Sequence, residues 1–298
     1  MVGETLRPIS DGAEEWLGKK IEVLDHGFVY LVDYMGNDQA IEQAARVSYG
    51  TGTRNVNETV GLIRYLMRHQ HTTPFEMVEL KFHAKMPIFV ARQWVRHRTA
   101  SINELSGRYS ILDKEFYVPS PEVITTQSQD NKQGRGQALN VNTANKIRQL
   151  LIDDATRNYG HYASMLEEDG LAKELARMDL TLNFYTQWYW KANLHNTLRF
   201  LGLRMDPHAQ WEIREYANAM STIVRDSVPI AWKAFEDYQL NAVKLTSQEV
   251  AVLTQAIGAF SLILSQESVL HLAQNAGLTN KREQQEMLEK FKKMGLIK

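Results

Sequence analysis

Residues 96–109 read RHRTASINELSGRY. Arg96, His97, Arg98 and Arg108 bring guanidinium and imidazole donors together, with Glu104, Ser101, Ser106, Asn103 and Gly107 among them. A guanidinium grips a phosphate through two hydrogen bonds, and glycine lets a backbone approach closely. The run therefore suits an anionic, planar ligand, whereas an isolated RHR would be no more than a solvated helix end. Upstream, Pro87 suits the first turn of a helix through IFVARQWVRHR, with Ile88, Ala91 and Val95 as its apolar stripe. Gln93, Arg96 and His97 then share another face. The helix is expected to give out near Thr99, leaving the rest of the run as a loop and Tyr109–Val118 as a returning strand.

Further out, residues 77–85 (MVELKFHAK) alternate apolar and polar and predict a half-buried strand. Residues 20–35 predict a hairpin around Asp25-His26-Gly27. Helices are expected from Asn37 to Tyr49 and from Asn57 onward. The second should stop in RHQHTTPFE before Pro74. Residues 119–142 are polar and predict a long surface loop. Its GRG lacks the lysine of a P-loop and the spacing of a dinucleotide fingerprint. A long helix follows over Thr143–Asp169, then a shorter one in LAKELARM. An aromatic strand is expected in DLTLNFYTQWYWKAN, a helix over Asn193–Leu203 and another opened by Asp206-Pro207. In the tail, Thr246 and Glu249 form a capping box. Val250, Leu253, Ile257, Phe260 and Leu264 mark one face, and Asn280–Lys293 a last helix.

The 298 residues carry 34 Lys+Arg against 35 Asp+Glu, a net charge of -1. That balance argues against a general nucleic-acid binder, which ordinarily carries a basic excess. No apolar run approaches the roughly 20 residues of a membrane span. Residues 1–16 lack a signal-peptide core, so a cytoplasmic location is expected. The chain contains no cysteine, so thiolate attack and Cys-ligated zinc are excluded. His69 and His71 flank Gln70, but no third ligand stands at zinc spacing, so no metal is expected.

The run fits R-H-R-x-x-S-x-N-E-x-S-x-R-Y at nine defined positions, and this pattern resembles the signature of the flavin-dependent thymidylate synthases. HTTPFE, Arg177 in ELARM, Asn193 and LRFLGLRMDPHAQWEIREYA resemble further motifs of that family. The resemblance covers roughly residues 20–240, after a leader at 1–19, and stops in a helical extension at 241–298. It implies an α+β fold, an antiparallel β-sheet with packed helices. It also implies conversion of deoxyuridine monophosphate (dUMP) to thymidylate. The carbon would come from 5,10-methylenetetrahydrofolate, with FAD reduced by NADPH, in a homotetramer whose sites lie between subunits.

Carried over by position, Gln93, Arg96, Glu104, Leu105, Ser106, Gly107, Arg108, Arg177 and Arg204 would bind dUMP. Arg204 would be the catalytic residue, polarising the base and favouring its ionised form, with Arg177 beside it. Ser48, Thr73, Glu76, Arg96, His97, Arg98, Asn103, Glu104, Asn193, His195 and Arg199 would surround FAD, with His71 near flavin or folate. Two positions depart from the pattern: His195 stands where the family more often has Arg, and Arg199 where it often has Asn. Ser106 has a rival reading as a nucleophile, but no G-x-S-x-G elbow surrounds it, and hydrogen bonding is the favoured role. Two other classes stay open: a related methylase of another uridine nucleotide, and a nucleic-acid binder using the arginines and the aromatic run.

Overall fold

The computed structural model describes residues 8–47, 59–129, 134–259 and 264–297, with backbone only at 257–259. The chain divides into two compact units, Met1–Leu240 and Asn241–Lys298.

The first unit begins with α1 (Asp11–Trp16), β1 (Ile21–Val23), β2 (Gly27–Met35), α2 (Asp38–Val47) and α3 (Thr59–Arg68). A 3-10 turn (Thr73–Met77) leads to β3 (Glu79–Pro87), α4 (Ile88–Trp94) and β4 (Ser101–Glu104). Then come β5 (Thr125–Gln127), β6 (Arg135–Ala138), α5 (Val141–Glu167), α6 (Lys173–Ala176), β7 (Tyr185–Asn193), α7 (Leu194–Arg204), α8 (Trp211–Ser227) and α9 (Pro229–Phe235). One sheet has the order β1-β2-β3-β7-β4 and every pairing in it is antiparallel. β5 and β6 make a separate hairpin.

The alternation of β3 becomes burial: Leu80, Phe82, Ala84 and Met86 are inside, and Lys81, His83 and Lys85 face the other way. β7 adds Trp188, Trp190 and Ala192 to the same interior. Ile213, Tyr216, Ala217, Met220, Ile223 and Val224 of α8 recur at spacings of three and four and are all buried. Each large side chain so buried contributes roughly 1.5–3 kcal/mol. Trp94 ends α4 in the middle of this core, stacked on Phe200 at 4.7 Å and edge-on to Trp188 at 5.6 Å. Tyr216 donates its hydroxyl to Lys85 O at 2.7 Å. A Cβ at Gly27 would overlap that hydroxyl, so the start of β2 needs glycine. Buried Asp38 accepts from Ile230 N (3.0 Å) and Ala231 N (2.9 Å), capping α9 from far away in the sequence. Burial raises its pKa above the usual carboxylate value, against the lowering effect of those two N–H groups.

Several local expectations are corrected. α4 ends at Trp94, and His97 N closes a turn on Trp94 O (3.0 Å). Ser101–Glu104 is a strand, not a loop, because it pairs with β7 from Lys191 to Trp188 and satisfies an otherwise open edge. Tyr109–Val118 is no strand. It makes one isolated bridge, Phe116 with Phe184, through Tyr117 N to Asn183 O, and other N–H groups go elsewhere, Leu112 N to Tyr162 Oη and Val118 N to Asp25 Oδ2. Residues 119–142 hold a 3-10 turn (Pro121–Val123) and the β5–β6 hairpin. Asp206-Pro207 opens a turn: Asp206 Oδ1 accepts from His208 N at 2.8 Å, and α8 starts only at Trp211.

The second unit contains α10 (Ser247–Ala259), α11 (Gln266–Asn275) and α12 (Lys281–Lys293). The capping box is present: Thr246 N donates to Glu249 Oε2 (2.7 Å) and Glu249 N to Thr246 Oγ1 (3.2 Å). Leu264 does not continue the face of α10 but forms a bridge with Ile297, and Phe260 lies outside the described residues. Val269, Leu288 and Ile297 make this unit's small core.

Candidate active site

β7 runs into α7 at Asn193, whose Oδ1 accepts from Asn196 N (3.0 Å) and Asn196 Nδ2 (2.8 Å). This cap starts the helix and fixes its rotation. Asn196, Arg199 and Leu203 then follow at spacings of three and four, with Arg204 next to Leu203, so they line one side. The turn after α4 brings Arg96, His97, Arg98 and Thr99 opposite them, over Trp190 of β7. Together these nine residues line a cleft of about 480 Å³. Four of them are arginines and none is a carboxylate.

Arg204 is held from two sides. Its Nε donates to His97 Nε2 at 3.0 Å, and its Nη2 to Gln93 O at 3.2 Å. An arginine only donates, so His97 Nε2 carries the lone pair and the ring is neutral with its proton on Nδ1. Burial first, then the charges of Arg204 and Arg199, push His97 down to about 4. Phe200 lies edge-on to the ring at 4.9 Å and restricts its tilt. Burial also lowers the pKa of Arg204.

Behind Arg204 a chain of polar groups runs inward. Gln93 Nε2 donates to Gln210 Oε1, and Gln210 Nε2 to Glu212 Oε2 at 2.8 Å. Glu212 is 3% exposed, is ion-paired with Arg135 of β6, and accepts from the Tyr117 hydroxyl at 3.3 Å. Burial and the Glu212 charge raise the pKa of Tyr117 far above the usual phenol range, so it remains a donor.

The second half of the quoted run forms a different locus beyond β4. Leu105 N donates to Gln187 O (2.9 Å), and Glu104 Oε1 accepts from Thr186 Oγ1 (2.7 Å). Tyr109 N and Ser110 N both donate to Ser106 O (3.1 Å), closing a tight turn, and Arg108 N to Ser106 Oγ (3.3 Å). Exposed Arg108 meets Glu174 at 3.2 Å. A Cβ on Gly107 would press on Arg177 Cδ at 3.3 Å, so Arg177 lies against this turn. Arg177 thus neighbours Gly107, while the partners of Arg204 are His97 and Gln93. Gln93 is turned toward Gln210.

Other expected residues scatter more widely. Asn103 is opposite Tyr189 on exposed β4, and His195 is half-buried in the first turn of α7. Thr73 and Glu76 share the 3-10 turn. His71 N donates to Leu66 O (2.9 Å), and its ring stands edge-on to Tyr65. Ser48 lies outside the described residues. Sequence reasoning missed Trp190, Asn196, Gln210 and Glu212. The last two stand inside the quoted AQWEI motif, but nothing in their spacing tells a buried carboxylate from an ordinary first-turn one.

The antiparallel α+β fold opens at a strand-to-helix junction into an arginine cleft with no carboxylate in its lining, the donor set of a class of sites complementary to phosphate-bearing ligands. A family model described as thymidylate synthase complementing protein matches residues 30–230. The flavin-dependent thymidylate synthase of Ruegeria pomeroyi is 57% identical over 256 residues, 85% of each chain. That of Rickettsia conorii is 50% identical over 98% of this chain and all of its own. Among solved structures, the UMP/dUMP methylase PolB from Streptomyces cacaoi bound with 5-Br dUMP superposes with a TM-score of 0.66. It is 31% identical, over 74% of this chain and 99% of its own. The chain belongs to the flavin-dependent thymidylate synthase family.

Proposed function

We infer that this chain converts dUMP to thymidylate with methylenetetrahydrofolate as carbon donor and FAD reduced by NADPH, as its family membership implies. The observation that carries the reading to particular atoms is the cleft at α7, with Arg204 fixed on His97 and Gln93 O. Its donors fit a cofactor bearing a diphosphate, because four guanidiniums, Asn196 and Thr99 stand there with no carboxylate to repel it. Arg96, Arg98, Asn196 and Arg199 are the residues to hold FAD there. When bound, FAD supplies the hydride chemistry that no side chain can.

The chain's own contribution is charge and position. Carbon–carbon bond formation at the uracil ring places negative charge on the pyrimidine, and with no cysteine in the chain that charge cannot be managed by a thiolate adduct. A guanidinium already oriented at the ring stabilises it without reorganising. Arg204 has this role. His97 keeps it aligned while remaining neutral, so no second charge competes for the ring. Ser106, Gly107, Arg108 and Arg177 form the phosphate cradle. Leu105 N is engaged by Gln187, which leaves Glu104 and the turn beyond it to meet the sugar.

The separation of this cradle from the Arg204 cleft along β4 supports sites completed by a neighbouring copy, hence a homotetramer. Among the described residues no helix is long and apolar enough to cross a membrane. With a net charge of -1, that favours the cytoplasm and a small-molecule substrate over a nucleic acid.

A second reading has a specific support, since PolB is named a UMP/dUMP methylase. Purified protein should be yellow, bleach with NADPH, and release tritium from 5-tritiated dUMP faster than from UMP. Colourless protein that cannot be loaded with FAD would sink both readings, and equal turnover of UMP would favour the second.

A further inference from the structure

The β5–β6 hairpin and the buried carboxylate of Glu212 have no part in the chemistry described so far, yet they are wired to Arg204. Glu212 is almost fully buried and receives three donors: Arg135 from β6, the Tyr117 hydroxyl, and Gln210 Nε2. A buried ion pair is weak as a source of stability, since desolvation offsets the attraction. It is strong as a source of orientation. A carboxylate paired with arginine has no hydrogen to give. Gln210 must therefore turn its NH2 toward Glu212, which leaves its carbonyl oxygen toward Gln93. Gln93 must in turn offer its own NH2. The polarity of two amides, each able to flip, is set by one acceptor-only group.

The consequence falls on Arg204. Gln93 lies in the last turn of α4, and its backbone oxygen holds Arg204 Nη2. Its side chain holds Gln210, just beyond the short connection that follows Arg204. The 204–210 segment is thus fastened to α4 through two groups of the same residue. If Gln210 flips, its NH2 faces the NH2 of Gln93 until Gln93 rotates as well, and either way the clamp that Glu212 dictates over the backbone oxygen under Arg204 is lost.

We propose that Glu212 and Arg135 are positioning residues for the reaction: through Gln210 they fix the amide polarity of Gln93 and so the place of the Arg204 guanidinium. This rests on the role assigned to Arg204 above. It gives the hairpin a function, delivery of Arg135 to a buried carboxylate.

The test compares FAD-loaded wild type with Glu212→Gln and with the double variant Gln210→Glu/Glu212→Gln. Glu212→Gln keeps the shape, but with its oxygen held by Arg135 and Tyr117 it turns an NH2 toward Gln210 and reverses the polarity that the carboxylate dictates. It should lower kcat for dUMP by about 10- to 100-fold with KM within about threefold, because misplacement of an aligned group acts on the transition state. The double variant moves the carboxylate one link along. The carboxylate introduced at position 210 still accepts from Gln93, and the amide introduced at position 212 can donate to it while accepting from Arg135 and Tyr117. It should recover kcat to within about threefold of wild type. A merely structural role would shift Tm and leave the kcat of folded protein unchanged. Should Glu212→Gln fail to fold, Gln210→Met breaks the same link without touching the ion pair, and the same loss of kcat is expected.

An unchanged kcat in either single variant overturns the proposal. So does a double variant that melts like wild type without regaining activity. If wild type releases no tritium, the functional reading falls, but the relay is still tested by 1H–15N spectra of the protein without nucleotide. Slowly exchanging side-chain amide signals from Gln93 and Gln210 should be present in wild type and lost in Glu212→Gln. Fast exchange in wild type would refute the relay.

Discussion

Arg204 and Arg108 divide the work of the proposed site, and their surroundings say how. Arg204 is half-buried and held by two acceptors, so its charge is felt in a poorly hydrated place. Arg204→Ala should lower kcat by about 100- to 1000-fold, with a smaller effect on KM. Exposed Arg108 is free to leave Glu174 for a phosphate, so Arg108→Ala should raise KM for dUMP by about tenfold or more and leave kcat less changed. Steady-state kinetics on dUMP separates the two, and near-normal turnover by Arg204→Ala would remove its assignment. His97 gives a pH prediction. Its folded pKa is about 4, below the ordinary 6.5, so between these values the unfolded chain binds the extra proton. Its contribution to stability is complete above 6.5 and is lost as pH falls toward 4. His97→Gln, which keeps an acceptor but does not titrate, should show a shallower fall in Tm across that window. An unaltered slope would mean that His97 is not held neutral by the fold.

Most helices start on their own caps, such as Asn140 for α5 and Asn193 for α7, but α9 depends on a distant residue. α9 begins at Pro229, but its N-cap Val228 has no side chain to offer, and buried Asp38 supplies both acceptors. Asp38→Ala should therefore cost about 2 kcal/mol, toward the upper end for a lost cap because two buried N–H groups are left unpaired. Urea unfolding measures it, and a change below about 0.5 kcal/mol would show that water replaces the carboxylate. Periodicity made β3 and α5 legible, and the buried face of α8 from Ile213 to Ile223, although α8 starts later than expected, at Trp211, and β7 only at Tyr185. Four residues of the quoted run were not legible, because Ser101–Glu104 shows no alternation and is exposed throughout. Pairing with β7 alone makes it a strand. Tyr109–Val118 erred the other way. Its apolar and aromatic residues suit a strand, but its N–H groups found side-chain and irregular partners first.

In the whole molecule, residues of one motif are parted and residues of distant motifs are joined. Arg96–Thr99 and Arg199–Arg204 share a cleft, while Ser106–Arg108 turns away with Arg177. If a neighbouring copy supplies the missing half, Arg108→Ala and Arg204→Ala should complement each other. Hybrids refolded from the mixed variants would contain some sites free of both substitutions. The mixture should regain about a tenth or more of wild-type activity, whereas either variant alone should not. Light scattering should give a mass near four times 34.2 kDa. No recovery in a mixture shown to contain hybrids would place both arginines in one subunit's site.

Sequence alone determined the chemistry's outline. Guanidiniums at fixed spacing, the lack of any thiol, and the alternation of β3 are local facts that no folding can alter. Tertiary structure decided which of those guanidiniums stand together and which are held still. The partners that orient Arg204, His97 Nε2 and the Gln93–Gln210–Glu212 chain, come from separate parts of the polypeptide. Hydrogen-bond polarity among them is a property of their contact, and spacing along the chain carries no trace of it.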